Sequence, residues 1–439
     1  MIGQSSVLRW TGSYAALSAE DRVALFDRTS SINTDVRERV GEIIGQVRGS
    51  GDVALRLLAQ QLDGVTLDAL EVPTEEWNVA LAALDPGLRS AMERSARNIR
   101  CVHEAFRPAA QECESEPGIV IGRRPDALDR VGVYAPGGRA AYPSSVLMGA
   151  IPARVAGVKE IVLCSPPLRE TGAPSHLVLA AAALAGVDRV FALGGAGAIA
   201  AMAFGTESVL RVDRIVGPGN AYVAEAKMQV SNVVAIDSPA GPSELLVLAD
   251  DTADPVLIAR EMLAQAEHDP LAVVVAVTIG EATAGAVVHA LEALLLTQPR
   301  SDIVRAALSG QGAVLWVDTL DAAIEATSRF AAEHVLLLVA LPDEALARLR
   351  SAGTVFVGAH ASVAFGDYMT GANHVLPTGG LARSYSGLST IDFVRWTTYQ
   401  RVTPAAAVSL AEDVAVFADA EGLQGHAIAA RALREVVLA

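Results

Sequence analysis

One predicted helix ends in two residues that could bind a metal ion. In the segment EMLAQAEH, Gln265 and His268 lie three positions apart, so both side chains project from one face of the helix. Their donor atoms could therefore converge on a single ion. An exposed glutamine beside a histidine at a helix end is the commoner meaning of this spacing, and the spacing alone leaves both interpretations open.

Two more polar segments could complete such a site. The segment GDYMTGANHVLPT is rich in glycine and lacks a helical or strand period, as is typical of loops that position ligands, and EGLQGH opens the last predicted helix. The resulting mixed set of nitrogen and oxygen donors is Gln265, His268, Asp367 and His426. This set suits zinc or another divalent first-row ion. Because glutamine is a poor ligand, the site would bind its ion loosely and accept substrate atoms as further ligands.

The adjacent residues Glu333 and His334 lie where a predicted helix gives way to the apolar run VLLLV. Edges of this kind often carry active-site groups. Imidazole titrates near neutral pH and a carboxylate can activate water, so the two neighbours could divide the work of general bases. A solvent-exposed pair at a helix end is the alternative interpretation.

Two glycine-rich turns, each between a strand and a helix, could face a nucleotide. In GGAGAIA, Gly195, Gly197 and Ala200 have the GxGxxA spacing of dinucleotide-binding turns. The following acid, Asp213, precedes its strand DRIVG, whereas a ribose-binding acid should end a strand, so an ordinary tight turn is an equal alternative. In IVGPGNAYVAEAK, Asn220 and the backbone amides could face a phosphate or ribose.

Short apolar segments bounded by glycine and proline must position these residues. The segments RVGVYAP, EIVLCSP, RVFALGG, DRIVGPG and VVAID alternate with helical patterns, and a second series contains LLVLAD, LAVVVAVT, AVLWV, HVLLLV and TVFVG. We therefore predict an α/β protein with two Rossmann-like domains built on parallel-rich sheets. The predicted boundaries are an N-terminal arm over 1–30, a first domain over 31–133 and 241–389, a second domain over 134–240, and a purely helical tail over 390–439.

Composition limits the classes of function. The chain has 439 residues and a formal net charge of −16, which disfavours binding to a nucleic-acid backbone. Its three cysteines, Cys101, Cys113 and Cys164, show no CxxC spacing, so neither a disulfide framework nor a cysteine zinc site is predicted. The N terminus lacks the pattern of a secretory signal, and the longest uncharged run, 190–206, is broken by glycines. We expect a soluble cytoplasmic protein that binds neither nucleic acid nor membrane.

Seven motifs, read in order, resemble those of the histidinol dehydrogenase family. They are YAPGGRAAYPSSVLMGAIPARVAGVKEI, VGPGNAYVAEAK, IDSPAGPSELLVLAD, AQAEH, AAEHV, GDYMTGANHVLPTGGLARSYSGLS and EGLQGH, and the likeness runs from about residue 35 to 435. The resemblance implies oxidation of L-histidinol to L-histidine through L-histidinaldehyde, with two molecules of NAD each taking a hydride. It also implies one zinc ion per subunit, which grips the imidazole and amine of the substrate.

The resemblance assigns roles to particular residues. It implies that His334 is the base in the first oxidation and that Glu333 activates the water that adds to the aldehyde. The implied zinc ligands, which also contact the substrate, are Gln265, His268, Asp367 and His426. The other implied substrate contacts are Ser243, Glu333, His374 and Glu421. The positions that match NAD contacts are Tyr134, Asn220 and Gly197.

The resemblance further implies a homodimer in which the tail of one subunit completes the active site of the other. This sequence departs from the family pattern at three places. Gly197 stands where glutamine is common, Ala332 replaces a proline, and the loop before His374 varies at 369, 370 and 372.

Three alternatives stay open at this stage. A paralogue could keep zinc and NAD but oxidise another small polar alcohol, such as 2,3-dihydroxypropanesulfonate, and the altered loop 369–372 allows it. A zinc hydrolase could use Glu333 as its base, but it would need neither the GPGN turn nor two Rossmann-like domains. A non-catalytic binding protein would leave the adjacent Glu333 and His334 without a purpose.

Overall fold

The computed structural model of the protein describes residues 7–28, 34–137 and 141–438. The chain divides into two compact units. The first comprises Met1–Phe106 and Leu128–Phe393, and the second comprises Arg107–Ala127 and Val394–Ala439. In the described ranges, no helix is both long and apolar enough to cross a membrane.

The strands of the described residues follow one another along the chain as β1 (Trp10–Ser13), β2 (Glu71–Val72), β3 (Gln111–Glu116), β4 (Ile119–Ala127), β5 (Arg130–Tyr134), β6 (Glu160–Ser165), β7 (Arg189–Ala192), β8 (Arg214–Val216), β9 (Ala235–Ile236), β10 (Glu244–Ala249), β11 (Val273–Ile279), β12 (Gly312–Val317), β13 (His334–Leu338), β14 (Thr354–Val357) and β15 (Val394–Val402).

The helices of the described residues are α1 (Ala19–Phe26), α2 (Thr34–Leu58), α3 (Thr74–Ala82), α4 (Pro86–Ala105), α5 (Pro143–Ala156), α6 (His176–Ala185), α7 (Gly195–Phe204), α8 (Ala221–Val230), α9 (Pro255–Ala266), α10 (Glu281–Leu295), α11 (Ser301–Gln311), α12 (Leu320–Phe330), α13 (Pro342–Arg348), α14 (Val363–Tyr368), α15 (Pro404–Ala420) and α16 (Gln424–Leu438). The sequence marks several of their beginnings. At α9, for example, the Asp254 side chain accepts a hydrogen bond from the Val256 amide and Pro255 opens the helix.

The first sheet of the first unit has the order β1-β12-β11-β10-β13-β14, and all of its strands are parallel. Its central strand β10 has the sequence ELLVLA and is buried throughout. An uninterrupted apolar run of this kind is expected where helices cover both faces of a parallel sheet, and an apolar core indeed lies on each side. The prediction of a parallel-rich Rossmann-like sheet here is confirmed.

The second sheet has the order β2-β7-β6-β5-β8-β9. Its strands are parallel except β2, which pairs antiparallel with β7. The strand order reverses between β5 and β8, so this sheet has the switch point at which doubly wound folds bind ligands. The predicted second Rossmann-like sheet is therefore also present, and its first parallel strand begins at Arg130, four residues before the predicted boundary.

The segment before the second sheet was assigned to the wrong domain. Helix α2 packs against α7 and α8, and α3 packs against α6, so the helices predicted to join 241–389 belong with the second sheet. The region predicted as an arm instead supplies β1, the edge strand of the first sheet. Helical periodicity shows that a helix has an apolar face, but it does not show which sheet covers that face.

The second unit corrects the prediction of a purely helical tail. Strand β15 lies within that tail and pairs antiparallel with β4, which pairs with β3 to complete a three-stranded sheet. These strands were missed because polar residues interrupt them, as in QECESE, whose side chains are all exposed. The helices α15 and α16 pack on each other through small residues that include Ala415, Ala418 and Ala427.

Candidate active site

The amino edge of the first sheet gathers several of the predicted site residues. Glu244 is the first residue of β10 and His334 is the first residue of β13, and these strands are neighbours in which Leu245 pairs with His334. Helix α9 follows β10 and runs back across the sheet, so Gln265 and His268 return to the same edge. Just before β13, Ala331 has a φ of 54° and turns the chain sharply out of α12.

Glu333 is buried at this edge, with an exposed fraction of 5%. Its Oε2 accepts a hydrogen bond of 2.8 Å from the backbone N–H of Glu244. Burial raises the pKa of Glu333 well above its usual range, and the negative charges of Glu244 and Asp367 raise it further. A carboxyl group with a raised proton affinity and a fixed orientation is suited to accepting a proton from a nearby water.

His334 lies beside Glu333 and is buried to the same degree. Its Nδ1 is 3.1 Å from the Glu244 carbonyl oxygen, and its Nε2 is 3.7 Å from Oδ1 of Asp367. Burial lowers the pKa of His334 to about 3, and the nearby His374 and His268 contribute in the same direction. The imidazole is therefore neutral, and because a carbonyl can only accept, the proton lies on Nδ1 and the free lone pair on Nε2.

Asp367 and His374 are brought together by the loop that follows α14. The Nδ1 of His374 is 3.1 Å from the backbone oxygen of Asp367. Burial lowers the pKa of His374 to about 4 and raises the pKa of Asp367 to about 6, with a further contribution from the charge of Glu261 to the latter. Both side chains are partly buried, and His374 also lies close enough to His334 to lower its pKa.

This loop is fastened to helices of the second sheet. Asn98 of α4 donates a 2.7 Å hydrogen bond to the Met369 carbonyl, and Asn373 donates one of 2.8 Å to the Met148 carbonyl in α5. Between them, Gly371 has a φ of +91°, and a Cβ added there would lie 2.4 Å from the Asn98 carbonyl oxygen. The backbone of the altered loop is therefore held independently of its variable side chains.

The donors at this edge fit a loosely held metal ion. The Gln265 side chain is 2% exposed, and among the described residues its Nε2 has no hydrogen-bond partner. An amide nitrogen donates hydrogen bonds and does not bind a cation, so the metal donors here are the Gln265 amide oxygen, an imidazole nitrogen and a carboxylate, a mixed set that suits zinc. In the described residues, no three His, Cys, Asp or Glu side chains form a group that could hold a metal ion by themselves. Within the first unit, the predicted ligands at hand are Gln265, His268 and Asp367.

The remaining predicted site residues occupy other places. Ser243 directly precedes β10 at the same amino edge and is partly exposed. Glu421 and His426 belong to the second unit, where Glu421 follows α15 and His426 lies in the first turn of α16. Both are exposed.

The three predicted NAD contacts lie on the second sheet. Tyr134 is the last residue of β5, and its hydroxyl accepts a 3.0 Å hydrogen bond from the Gly195 amide at the start of α7. The Asn220 side chain caps α8 by accepting hydrogen bonds from the Tyr222 and Val223 amides. Gly197 is buried in α7, where an added Cβ would lie 3.2 Å from Leu58 of α2, so this position faces a helix.

Two buried ion pairs that the sequence analysis missed hold these edges. Arg28 binds both carboxylate oxygens of Glu244 at 2.8 and 3.2 Å, and the Glu244 backbone in turn holds Glu333 and His334. On the second sheet, Lys227 pairs with Asp237. The Gly217 amide donates to Asp237 at 2.7 Å, and Lys227 donates to the Gly217 carbonyl at 3.0 Å. A charged residue inside an apolar strand or helix was the available signal for Glu244 and Lys227.

Comparison with known proteins decides the family. The histidinol dehydrogenase family model matches residues 26–434. The chain belongs to the histidinol dehydrogenase family. The resemblance inferred from the seven motifs is confirmed, and the chain is an oxidoreductase.

Relatives in the family match nearly the whole chain. A histidinol dehydrogenase of Natronomonas pharaonis is 51% identical over 414 residues, which cover 94% of this chain and 97% of the relative. One from Nitrosomonas europaea is 44% identical over 400 residues, covering 90% of this chain and 92% of the relative. The crystal structure of histidinol dehydrogenase from Elizabethkingia anophelis superposes with a TM-score of 0.93 at 33% identity and covers 98% of this chain and 99% of that one.

Proposed function

We propose that this protein oxidises L-histidinol to L-histidine through L-histidinaldehyde and uses NAD as the oxidant. The names of its relatives support the substrate, and the buried Glu333 and His334 at one sheet edge support the chemistry. Those relatives do not favour the alternative substrate 2,3-dihydroxypropanesulfonate. A cytoplasmic location, as expected for a biosynthetic enzyme, is part of the same proposal.

His334 is proposed as the base of the first oxidation. Conversion of the alcohol to the aldehyde removes a hydride, which NAD accepts, and the hydroxyl proton, which a protein group must take. The Nε2 lone pair of His334 is available because Nδ1 is held at the Glu244 carbonyl. The adjacent backbone contact thus fixes both the tautomer and the direction of the base.

Glu333 is proposed as the base of the second oxidation. An aldehyde carries no hydroxyl proton, so a water must add to it before a second hydride can leave. Oε2 of Glu333 is oriented by the Glu244 amide at 2.8 Å. Deprotonation of the water by this carboxylate forms the hydrate, whose oxidation gives the carboxylate product.

Zinc is proposed to be held by Gln265, His268, Asp367 and His426, and when bound it would supply a Lewis acid that grips the imidazole and amine of the substrate. Ser243, His374 and Glu421 are proposed as further substrate contacts. The mixed nitrogen and oxygen donors of these side chains support zinc, since they are the donor types that it accepts. NAD is proposed to contact Tyr134, Asn220 and the turn that leads to Gly197.

A homodimer with shared active sites belongs to the same proposal. The second unit carries His426 and Glu421 together with exposed apolar side chains on α15 and α16, among them Phe417 at 70% and Ile428 at 66% exposure. Exposed apolar residues on helices of this kind are typical of surfaces that a partner covers. His426 and Glu421 are proposed to complete the site of the partner subunit.

The stoichiometry of NAD reduction tests the function. The purified protein supplied with zinc should reduce two NAD per histidinol. Glu333→Gln should leave the first reduction in place and lower the rate of the second by about 100-fold or more, because the water loses its base. NADH formed in a single turnover and trapped aldehyde are the measurements.

The exposed Glu325→Gln, on α12, is the matched control and should behave like the wild type. Wild-type protein that releases aldehyde after reducing one NAD would contradict the four-electron reaction. A Glu333→Gln variant that oxidises added aldehyde at the wild-type rate would contradict the role of Glu333.

A further inference from the structure

Asp63 is an acid that none of the roles proposed above uses. It ends the π-helical turn Ala59–Asp63 that extends α2, and Gly64 follows in the left-handed conformation. The Asp63 side chain is half-buried, and within the described part of the chain it forms no hydrogen bond or ion pair. Its carboxylate oxygens are therefore left with unused capacity to accept hydrogen bonds.

This placement of a carboxylate is unfavourable for the folded protein. Burial raises the pKa of Asp63 to about 6, and among the described residues no hydrogen bond or ion pair offsets the lost hydration. The C-terminal end of a helix also carries partial negative charge, which repels a carboxylate. An acid that is kept in such surroundings, with no partner among the described residues, indicates a requirement other than the stability of the fold.

Asp63 borders the glycine turn between β7 and α7. A Cβ added to Gly194 would lie 3.7 Å from Oδ1 of Asp63, and the charge of Asp63 adds to the effect of burial in raising the pKa of Tyr134. A Cβ added to Gly195 would meet no atom of the described residues within 4 Å. The carboxylate, the Tyr134 hydroxyl and the start of α7 thus surround one region of the carboxyl edge.

The acid that the GxGxxA spacing points to in the sequence is engaged elsewhere. Asp213 precedes β8, and its Oδ2 accepts hydrogen bonds from the amides of Asp129 and Arg130 at 3.1 and 2.9 Å. It therefore lies at the amino end of the second sheet, opposite to Tyr134. Dinucleotide-binding folds hold the adenosine ribose with an acid at the carboxyl edge. Here the acid near the glycine turn at that edge is Asp63, at the end of the turn that follows α2.

We propose that Asp63 binds the vicinal hydroxyls of the adenosine ribose of NAD and thereby selects NAD over its 2′-phosphorylated analogue. The inference rests on the proposed function, since it assumes that the second sheet binds NAD. Two hydroxyl donors would satisfy the carboxylate oxygens, whereas a 2′-phosphate would bring a second negative charge against them.

The test is the binding of NADH and NADPH to the zinc-loaded full-length protein without substrate, measured by calorimetry. Asp63→Asn should weaken NADH binding about 10- to 100-fold, the usual effect of removing a charged hydrogen-bond partner. NADPH affinity should stay the same or increase. The melting temperature should be no lower than in the wild type, because an unfavourable charge has been removed.

Asp68→Asn, which removes an exposed acid five positions away, is the matched control and should change neither affinity. Asp63→Ser is a second variant in case the amide introduces new contacts. Unchanged NADH affinity in both Asp63 variants, or equal losses for NADH and NADPH, would overturn the inference while leaving the proposed function standing. A wild-type protein that binds no NADH would overturn the proposed use of NAD and this inference with it.

Discussion

The two sheets of the first unit use opposite edges. The first sheet presents Glu333, His334 and Ser243 at the amino ends of its strands, whereas the second sheet presents Tyr134 and the turns before α7 and α8 at the carboxyl ends. Ligands of open parallel sheets usually bind at the carboxyl ends. The second sheet follows that rule, and the first departs from it. Two sheets of similar architecture can therefore present their functional side chains at opposite ends of their strands.

The two edges are also stabilised differently. At the first edge, the pair Arg28 and Glu244 lies behind a backbone that holds two side chains proposed to react. At the second edge, the pair Lys227 and Asp237 holds the backbone of Gly217 itself, at the start of the turn that reaches Asn220. Loss of either pair should thus impair a different part of the reaction.

Removing Arg28 is expected to have the largest effect. Arg28→Met leaves the buried Glu244 carboxylate without its counter-ion, so the free energy of unfolding should fall by about 3 kcal/mol. The turnover number should fall at least tenfold, while the affinity for NADH should change less than twofold. Denaturation in urea, steady-state kinetics and calorimetry measure the three quantities.

Arg28→Lys keeps the charge but loses the two-pronged contact, so it should give intermediate values. Equal losses of turnover and NADH affinity in Arg28→Met would show that the pair does not act on the first edge alone.

Removing Lys227 should weaken NADH binding and leave the first edge unaffected. Lys227→Met leaves Asp237 buried and unpaired, so a similar loss of about 3 kcal/mol in stability is expected. Because the Gly217 carbonyl loses its donor, NADH should bind at least fivefold more weakly, whereas zinc and histidinol should bind as in the wild type. The two methionine variants are matched controls for each other. Loss of histidinol binding in Lys227→Met would show that this ion pair does not act on the second edge alone.

Acid should weaken the packing of helix α4. His103 of α4 is buried, and burial lowers its pKa to about 4 from its ordinary value of 6.5. Between these values the unfolded chain binds a proton that the folded protein does not, so stability is complete above pH 6.5 and declines as the pH falls towards 4. The decline attributable to His103 should reach up to about 3 kcal/mol.

Unfolding curves at several pH values measure this slope. His103→Gln, which cannot titrate, should show a shallower decline than the wild type. If stability declined equally steeply with falling pH in both proteins, His103 would not be the cause of the decline.

The smallest expected effect concerns the hydrogen bond that holds the loop between Asp367 and His374. Asn98→Ala removes the donor to the Met369 carbonyl, and the affinity for zinc should fall about fivefold, as for the loss of one neutral hydrogen bond. Competition with a coloured chelator measures this affinity. Asn78→Ala, at an exposed position of α3, should leave it unchanged, and an equal loss in both variants would exclude a specific role for the bond.

The sequence predicted local features better than long-range ones. The alternation of apolar strands with helices identified both sheets, and the change from helix to strand at Glu333 and His334 lies where it was predicted. The half-buried Asp63 and the buried Asp237 look like ordinary surface acids in the sequence, because burial depends on segments far away in the chain. For the same reason, periodicity could not assign α2 to its sheet.

The resemblance to the family identified site residues that periodicity could not, but only residues that lie within the seven motifs. It singled out Gln265, whose buried amide is conspicuous in the structure, although its spacing to His268 is common in helices. It did not mark Arg28, which lies outside all seven motifs yet anchors Glu244. The β3–β4 hairpin and β15 were missed because their exposed, polar strands lack the alternation by which half-buried strands are recognised.

The pairing of β1 with β12 constrains the order in which the protein can fold during synthesis. Trp10 pairs with Ala313, so the two strands are separated by roughly 300 residues of chain. The entire second sheet, with its helices, is encoded between them and can form as soon as it leaves the ribosome. The first sheet must wait until its last strands are made, and its first strand stays unpaired in the meantime. We therefore expect the nascent chain to fold the sheet that carries Tyr134 before the sheet that carries Glu333 and His334.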